Sequence, residues 1–243
     1  MLIGIISDLH ANLEATLAVL AKLDAIGPDR VICLGDVAGY GADVNEVIDI
    51  VREREIPTLI GNHDASACGL EEPWFFNSKA QAAIYWQAGR LRPDNRDWLR
   101  TLPADIPFAD LCLGVHGAPG NRDDYIYDWL DAMQQLEFLD GTPAKVCFFG
   151  HSHLASLFGE KGNPPFAESS SGFMLNKQNR YFINPGSVGQ PRDGDSRAAF
   201  GVLRTDTMRF EFHRAEYDIQ ATARKIVEAG LPPSLARRLS RGR

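Results

Sequence analysis

The stretch LIGIISDLHANLEATLAVLAKL, residues 2–23, decides the fold. Leu2 to Ile6 is an unbroken apolar run of the length of a buried strand. Leu13, Leu17 and Leu20 then recur at i, i+4 and i+7, one face of a helix, and Asn12 stands where an N-cap belongs. Between strand and helix lies SDLH, residues 7–10, a short loop carrying an aspartate and a histidine. Strand, reactive loop and helix form the first half of a βαβ unit.

The same texture continues outward from it. Val31 to Leu34 reads as the next strand, and Val44, Val47, Ile48 and Val51 mark a second helix, with Asp43 and Glu46 spaced as a capping box. Pro57 to Ile60 reads as a third strand. Consecutive units of this kind predict a mostly parallel sheet with right-handed crossovers. Residues 71–103 interrupt the alternation with aromatic-rich EEPWFFNSKAQAAIYWQAGRL and then PDNRDWLRTL, which predict a helical insertion near one end of the sheet. Strands resume at Leu111–Val115 and Lys145–Phe149, and Trp129, Met133 and Leu136 mark a helix between them. Beyond residue 154, runs at Ser156–Phe158, Tyr181–Ile183, Ala198–Leu203 and Met208–His213 read as antiparallel strands. A last helix, about 217–241, carries Ile219, Ala223, Ile226 and Val227, with stop signals at Gly230 and Pro232. No linker or repeat divides the chain, so one domain over 1–243 is expected.

Composition removes several classes of function. Of 243 residues, 44% are hydrophobic and 23% charged, so the chain is globular rather than disordered. No apolar run approaches the ~18 residues of a membrane span. The start, MLIGIISDLH, lacks a basic leader region, so a cytoplasmic protein with no membrane partner is expected. Lys and Arg number 25 against 32 Asp and Glu, a net charge of -7, which gives nucleic acid no electrostatic footprint. Cys33, Cys68, Cys112 and Cys147 form no CxxC pair and read as buried small hydrophobes. Neither a P-loop, nor HExxH, nor a GxSxG elbow occurs.

Five segments carry the chemistry: SDLH (7–10), GD (35–36), GNHD (61–64), VHG (115–117) and GHSH (150–153). Each follows an apolar run, and in open α/β sheets the functional crevice lies beyond the carboxyl ends of the strands. Asp8, His10, Asp36, Asn62, His63, His116, His151 and His153 should therefore converge on one edge. Imidazoles, carboxylates and an amide oxygen together make a transition-metal site. Seven candidate ligands exceed the needs of one ion, and two carboxylates among them allow a bridge, the arrangement of two-metal hydrolases. Mn²⁺ stands first among the fitting ions, with Fe, Co²⁺, Ni²⁺ and Zn²⁺ also suited to this donor set. A single such histidine or aspartate is ordinarily structural; five coincidences at successive strand ends are not.

DLH, GD, GNHD, VHG and GHSH, in this order, closely resemble the calcineurin-like metallophosphoesterases, from residue 2 to about 193. NPGSVGQPRD, residues 184–193, is similar to a further segment of small bacterial and archaeal phosphoesterases, some phosphodiesterase-like and some diadenosine-tetraphosphatase-like. The resemblance implies a mixed α/β, four-layer αββα sandwich of two mixed sheets flanked by helices. It also implies a dinuclear site, with Asp8, His10, Asp36 and His153 on one metal, Asp36, Asn62, His116 and His151 on the other, and Asp36 bridging. His63 is then left for proton transfer to the leaving oxygen, with Asp64 as a candidate to orient it and a cap or turn as its competing role. Asn12, Asn62 and Arg192 are candidate substrate-binding residues, with a helix cap as the competing role of Asn12, a brace to Asp193 or Asp195 as that of Arg192, and Arg122 as a weaker candidate. The implied activity is hydrolysis of small-molecule or nucleotide phosphate esters, by a protein open to homo-oligomerisation. The alternative is a non-catalytic metal-binding or protein-interaction module on the same fold. GDVAGYG, residues 35–41, departs from the GDxxDRG of the protein phosphatases: Gly39 and Tyr40 replace the Asp and Arg, which disfavours a phosphoprotein substrate.

Overall fold

The computed structural model describes residues 1–162 and 172–243. In chain order its elements are β1 (Leu2–Ile6), α1 (Leu13–Ile26), β2 (Arg30–Cys33), α2 (Val44–Glu53), α3 (Asn62–Ala67), α4 (Ser78–Ala88), α5 (Pro93–Arg100), β3 (Asp105–Phe108) and β4 (Cys112–Val115). They continue with α6 (Trp129–Gln134), α7 (Leu136–Leu139), β5 (Val146–Phe148), β6 (Ser156–Gly159), β7 (Phe173–Met174), β8 (Tyr181–Asn184), β9 (Ala198–Arg204), β10 (Arg209–Ala215), α8 (Ile219–Glu228) and α9 (Pro233–Leu239).

Two five-stranded sheets result, in the orders β2-β1-β9-β10-β7 and β3-β4-β5-β8-β6. Both are mixed: β1 runs parallel to β2 but antiparallel to β9, and β5 lies parallel to β4 and β8. A core of Ile3, Ile5, Ile32, Phe148, Ile183 and Phe210 fills the space where the sheets face each other. Phe148 of one sheet meets Phe210 of the other with ring centroids 5.6 Å apart. On the outer face of the first sheet, Val19, Leu20 and Leu23 of α1 and Val47, Ile48 and Val51 of α2 cover Phe200 and Val202. On the outer face of the second, Ala132 and Leu139 cover Cys147, Phe149 and Phe158. The four layers are helix, sheet, sheet and helix, the expected sandwich. Each strand of the inner pair is covered on both sides, which explains why β1, β5 and β8 read as continuous apolar runs.

Several local expectations need correction. Pro57–Ile60 is not a strand: Thr58 makes a single bridge to Cys33 and the chain leaves the sheet. Asp43 caps no helix through its side chain, because its carboxylate instead accepts a hydrogen bond from Lys225 at 2.9 Å. The C-terminal helix is two helices, broken at Leu231 and Pro232, and the helix at 129–136 is likewise divided into α6 and α7. Tyr181–Ile183 lies parallel to one neighbour and antiparallel to the other. Two edge strands, β3 and β7, were not foreseen: β3 holds Pro107, and β7 is two residues long, features of edges rather than of sheet interiors. The 71–103 segment is helical as expected. Its α4 packs with α8 and α9 through Ala80, Ala83, Ile226 and Leu235, in a cluster that includes Tyr40.

Candidate metal centre

The topology brings the loop after β1, the loop after β2, the start of α3, the loop after β4 and the loop after β5 to one edge of the paired sheets. Short backbone bonds lock these loops to one another: Asp8 N–H to Gly35 O (3.0 Å), His10 N–H to Asp36 O (2.9 Å) and Gly150 N–H to His116 O (2.7 Å). Asp8, His10, Asp36, His151 and His153 all have left-handed backbone, with φ between 48° and 63°. Such conformations cost free energy in non-glycine residues and gather where function demands a fixed side-chain direction. Gly61 is required by this crowding, because a Cβ there would overlap the Asp36 carboxylate.

All eight residues of the five motifs converge, and all are buried. Three sets present ligand atoms within 4.8 Å of one another: Asp8, His10 and His153; His10, Asp36 and His63; Asp36, His116 and His151. Hydrogen bonds fix most of the tautomers. Nδ1–H of His10 donates to Ala38 O (2.8 Å), that of His153 to Gln190 O (2.6 Å) and that of His116 to Leu34 O (2.8 Å). In the neutral form that metal ligation requires, each of these rings turns an Nε2 lone pair inward. His151 is reversed: its Nε2–H donates to Asp123 O (3.2 Å), which leaves Nδ1 bare. The inward atoms confront only other acceptors. His10 Nε2 lies 3.1 Å from His153 Nε2, and His116 Nε2 lies 3.3 Å from the Oδ1 of Asn62. Asp8 and Asp36 each spend Oδ1 on a backbone N–H, of His151 and His63 respectively, while both Oδ2 atoms are buried without a hydrogen-bond partner. Lone pairs with no donor among them are satisfied by cations, so the donor set fits divalent metal ions.

The electrostatics agree. Burial pushes His10 and His153 well below the usual imidazole range and lowers His151 to about 3, which keeps these rings neutral as metal ligands must be. Burial raises Asp8 to about 7, with the charge of Asp36 adding to it. Burial also opposes ionisation of Asp36, but His116, His63 and His10 outweigh it and hold this carboxyl well below the carboxylate range. At His116 burial is likewise outweighed, chiefly by Asp36, and the ring rises to about 9, so its Nε2 holds a proton beside Asp36 that a bound cation would displace. The acidic pair thus draws positive charge to this point.

Residues 1–208 match the calcineurin-like phosphoesterase superfamily domain. The chain belongs to that superfamily. Its phosphoesterase sandwich is similar to the crystal structure of a metallophosphoesterase from Sphaerobacter thermophilus, at 38% identity and a TM-score of 0.85, covering 100% of this chain and 99% of that one. A hypothetical protein from Pyrococcus horikoshii shares the fold, with a TM-score of 0.80 at 18% identity, over 100% and 98% of the two chains. An uncharacterized protein of Methanocaldococcus jannaschii is 35% identical over 245 residues, 100% of this chain and 98% of the relative. Superfamily membership and the His/Asp cluster together make this phosphoesterase a divalent-metal-binding protein of the hydrolase class. No helix of the described residues is long and apolar enough to cross a membrane.

Of the other residues singled out in the sequence, Asn12 and Asp64 take the cap and turn roles that competed with the functional ones, while Arg122 and Arg192 find other partners. Asp64 does not touch Nδ1 of His63, which is buried without a partner. Its oxygens accept from Ala38 N–H (2.8 Å) and Gly61 N–H (3.0 Å), so it ties the second motif loop to the start of α3. Asn12 is committed to the fold: Oδ1 accepts from Ala15 N–H (3.1 Å) and Nδ2 donates to Gly189 O (2.8 Å). Arg122 pairs with Glu71. Arg192 is not braced by Asp193 or Asp195, which pair with Arg214 and Arg197. Its Nη2 instead donates to the Tyr40 hydroxyl (3.1 Å) and to Gln190 Oε1 (3.2 Å). Tyr40 in turn packs against both His10 and His63, each at 4.6 Å between ring centroids.

Three neighbours of the site have contacts that the sequence did not specify. Phe76 stacks on His63 at 4.6 Å and 23°, a specific role inside the aromatic run 74–76. Tyr125 stacks on His151 at 4.0 Å and 27°. Gln87, fully buried, accepts from Gly39 N–H through Oε1 (2.7 Å) and donates from Nε2 to Gly41 O (2.8 Å). A glutamine on a helix face among Ala80, Ala83 and Ile84 was the only available signal of that clamp.

Proposed function

We propose that the protein is a dinuclear phosphoesterase acting on small or nucleotide-like phosphate esters, phosphodiesters included, in the cytoplasm. Asp8, His10, Asp36 and His153 would hold one ion, and Asp36, Asn62, His116 and His151 the other. The observation that carries this reading is the convergence of bare imidazole lone pairs on two buried carboxylates with no hydrogen-bond donor between them. Asp36 belongs to two of the three ligand sets, one with His10 and one with His116 and His151, which supports its role as the bridge. Mn²⁺ is the ion we put first, and Fe, Co²⁺, Ni²⁺ and Zn²⁺ also suit imidazole and carboxylate donors.

Bound divalent ions supply water activated near neutral pH and offset phosphoryl charge. The chain's own residues do the rest. Hydrolysis breaks one P–O bond; water contributes its hydroxyl to phosphorus and a proton reaches the leaving oxygen. His63 supplies that proton. Burial lowers this imidazole to about 4 in the free protein. An anionic phosphate ester beside it opposes that shift and restores the protonated form when the acid is needed. Phe76, stacked on the ring, and Tyr40, tilted against it, hold His63 in place of a carboxylate. The Nε of Arg192, buried without a partner, is an unused donor beside Tyr40 and suits a phosphoryl oxygen. The four free, buried cysteines fit a reducing compartment.

The test is hydrolysis of bis(4-nitrophenyl) phosphate by Mn²⁺-reconstituted protein, with metal content measured alongside. His63→Ala is expected to bind two ions and lose about 10²–10⁴-fold in kcat. Wild type and His63→Ala equally inactive across a broad phosphate-ester panel, both with two ions bound, would establish the non-catalytic module instead.

A further inference from the structure

A ladder of rings runs from solvent to a candidate metal ligand. Tyr127 stacks on Tyr125 at 4.9 Å and 7°, and Tyr125 stacks on His151 at 4.0 Å and 27°. Beyond it the His151 ring meets that of His116, edge to face, at 5.2 Å. The order follows from the local chain. Ile126 is buried with Phe149 and Ala132, while Tyr125 and Tyr127 on either side of it are 41% and 53% exposed. Where side chains alternate in this way, residues two apart share a face. Tyr125 is therefore the residue at which the buried cluster becomes reachable from outside.

The loop that carries this tyrosine is closed on itself. Ala118 N–H donates to Asp124 O (3.0 Å), Asp123 N–H to Asn121 Oδ1 (3.1 Å) and Tyr127 N–H to Asp131 Oδ2 (2.9 Å). Arg122 ties it to Glu71 at the start of the helical insertion. Gly117 lets the loop return to the end of β4, because a Cβ there would overlap Arg122 O. The same loop supplies Asp123 O to the Nε2–H of His151, so one loop holds that imidazole both by an edge and by a face. The Tyr125 hydroxyl makes no hydrogen bond among the described residues. Burial raises its phenol to about 12, so it keeps its proton and is a donor. Arg192, Tyr40 and Asp36 are all near enough to act on this phenol, so Tyr125 looks across the crevice from the His151 flank toward the flank that holds Arg192.

We propose that Tyr125 is a phosphoryl-binding residue of this site, its hydroxyl donating to a phosphoryl oxygen from the His151 flank while its ring braces His151. A tetrahedral phosphoryl group presents oxygens in several directions, and one donor on each side of the crevice fixes its orientation to the attacking water. The stack serves that purpose: His151 and Tyr127 set the plane of the Tyr125 ring between them, and the closed loop holds it there before any ester arrives. The proposal rests on the phosphoesterase reading and adds to it a residue that lies in none of the five motifs.

The experiment compares wild type, Tyr125→Phe and Tyr125→Leu by calorimetric binding of orthophosphate to the Mn²⁺-loaded protein, by Mn²⁺ titration followed through the EPR signal of the free ion, and by hydrolysis of bis(4-nitrophenyl) phosphate. Tyr125→Phe keeps the stack and removes the hydroxyl. It is expected to weaken orthophosphate binding about tenfold and to lower kcat/KM by about as much, with the affinity for both ions unchanged. Tyr125→Leu is expected to show the same losses and also to bind the second ion about fivefold more weakly. Orthophosphate binding in Tyr125→Phe equal to that of the wild type, or undetectable in the wild type itself, would overturn the hydroxyl contact. Unchanged ion affinity in Tyr125→Leu would overturn the brace. In either case diester hydrolysis by the wild type leaves the phosphoesterase reading standing. If the wild type hydrolyses no ester, that reading falls, and orthophosphate binding still decides the contact.

Discussion

Gly39 lies directly against His63: a Cβ built on Gly39 would overlap Nδ1 of the His63 ring and come within 2.7 Å of Nδ1 of His10. Its φ of +102° also belongs to a region that side chains disfavour. At the position where GDxxDRG has its second aspartate, this chain has no room for any side chain. Gly39→Ala is expected to displace His63 and lower kcat on a nitrophenyl diester by about 100-fold, within the range for losing a positioned acid. Its stability should fall by about 1–3 kcal/mol from backbone strain. Kinetics beside urea melts check both, and a wild-type kcat in the variant would remove Gly39 and its contact from the argument.

Metal removal should be visible without any substrate. The lone pairs of His10 and His153 face each other at 3.1 Å and the Oδ2 atoms of Asp8 and Asp36 have no partner, so a bound cation relieves repulsion in the folded state alone. A ligand at 100 times its Kd adds about 2.7 kcal/mol, worth about 5–10 °C in Tm for a chain of this size. Calorimetry of chelated and Mn²⁺-loaded protein should show that rise, and Asp36→Asn should abolish most of it. An equal Tm with and without metal would contradict the reading of this cluster as a cation site.

The ligand loops were legible because each is short and follows an apolar run, so sequence position fixed spatial position. Asp8, His10, Asp36, His116, His151 and His153 needed no knowledge of side-chain packing to be placed together. What hid was whatever depends on contacts between distant segments. Pro57–Ile60 has strand composition, but only Thr58 bridges to Cys33. Asp43 has capping-box spacing, but Lys225, 182 residues away, takes its carboxylate. The basic tail RRLSRGR reads as a solvated helix end until α8 and α9 fold back and bring Arg238 over Tyr40. Periodicity reports faces of elements; it does not report which partner covers them.

The cysteines provide a probe of the core. Cys33, Cys68, Cys112 and Cys147 are all buried and free. Burial pushes each thiol up, that of Cys112 to about 12. The reactive species is the thiolate, so at pH 8 the native protein should label negligibly with iodoacetamide, and raising the pH to 9 should change little. After unfolding in guanidinium all four should react, as mass spectrometry can count. Rapid labelling of Cys33 or Cys147 in native protein would mean that the strands carrying them open readily.

Asn12 separates a structural role from a substrate role. Its Oδ1 accepts from Ala15 N–H and from the Thr222 hydroxyl (3.0 Å), while Nδ2 donates to Gly189 O, so every polar atom of the side chain is in use. Asn12→Ala should cost about 2 kcal/mol from the lost cap and the stranded Gly189 carbonyl. KM for a phosphate ester should stay near that of the wild type. A raised KM with unchanged stability would return Asn12 to the substrate.

Gln87 supports the opposite expectation, an effect on chemistry from a residue that touches no ligand. Its amide spans Gly39 N–H and Gly41 O and so fixes the turn that presents Tyr40 to His63 and Arg192. Gln87→Leu leaves both backbone groups buried and unpaired, at about 2–4 kcal/mol together. Loosening the turn should also lower kcat, because the packing of Tyr40 against His63 then no longer holds the acid in one orientation. Gln87→Glu restores the acceptor for Gly39 N–H but offers Gly41 O no donor when ionised. Partial recovery of stability and kcat is therefore expected, greater at pH 5.5 than at pH 8, because a protonated carboxyl donates to the carbonyl. Urea melts and kinetics at the two pH values, each normalised to wild type, test it. Stability lost in Gln87→Leu with kcat unchanged would show that α4 supports the fold here without positioning His63.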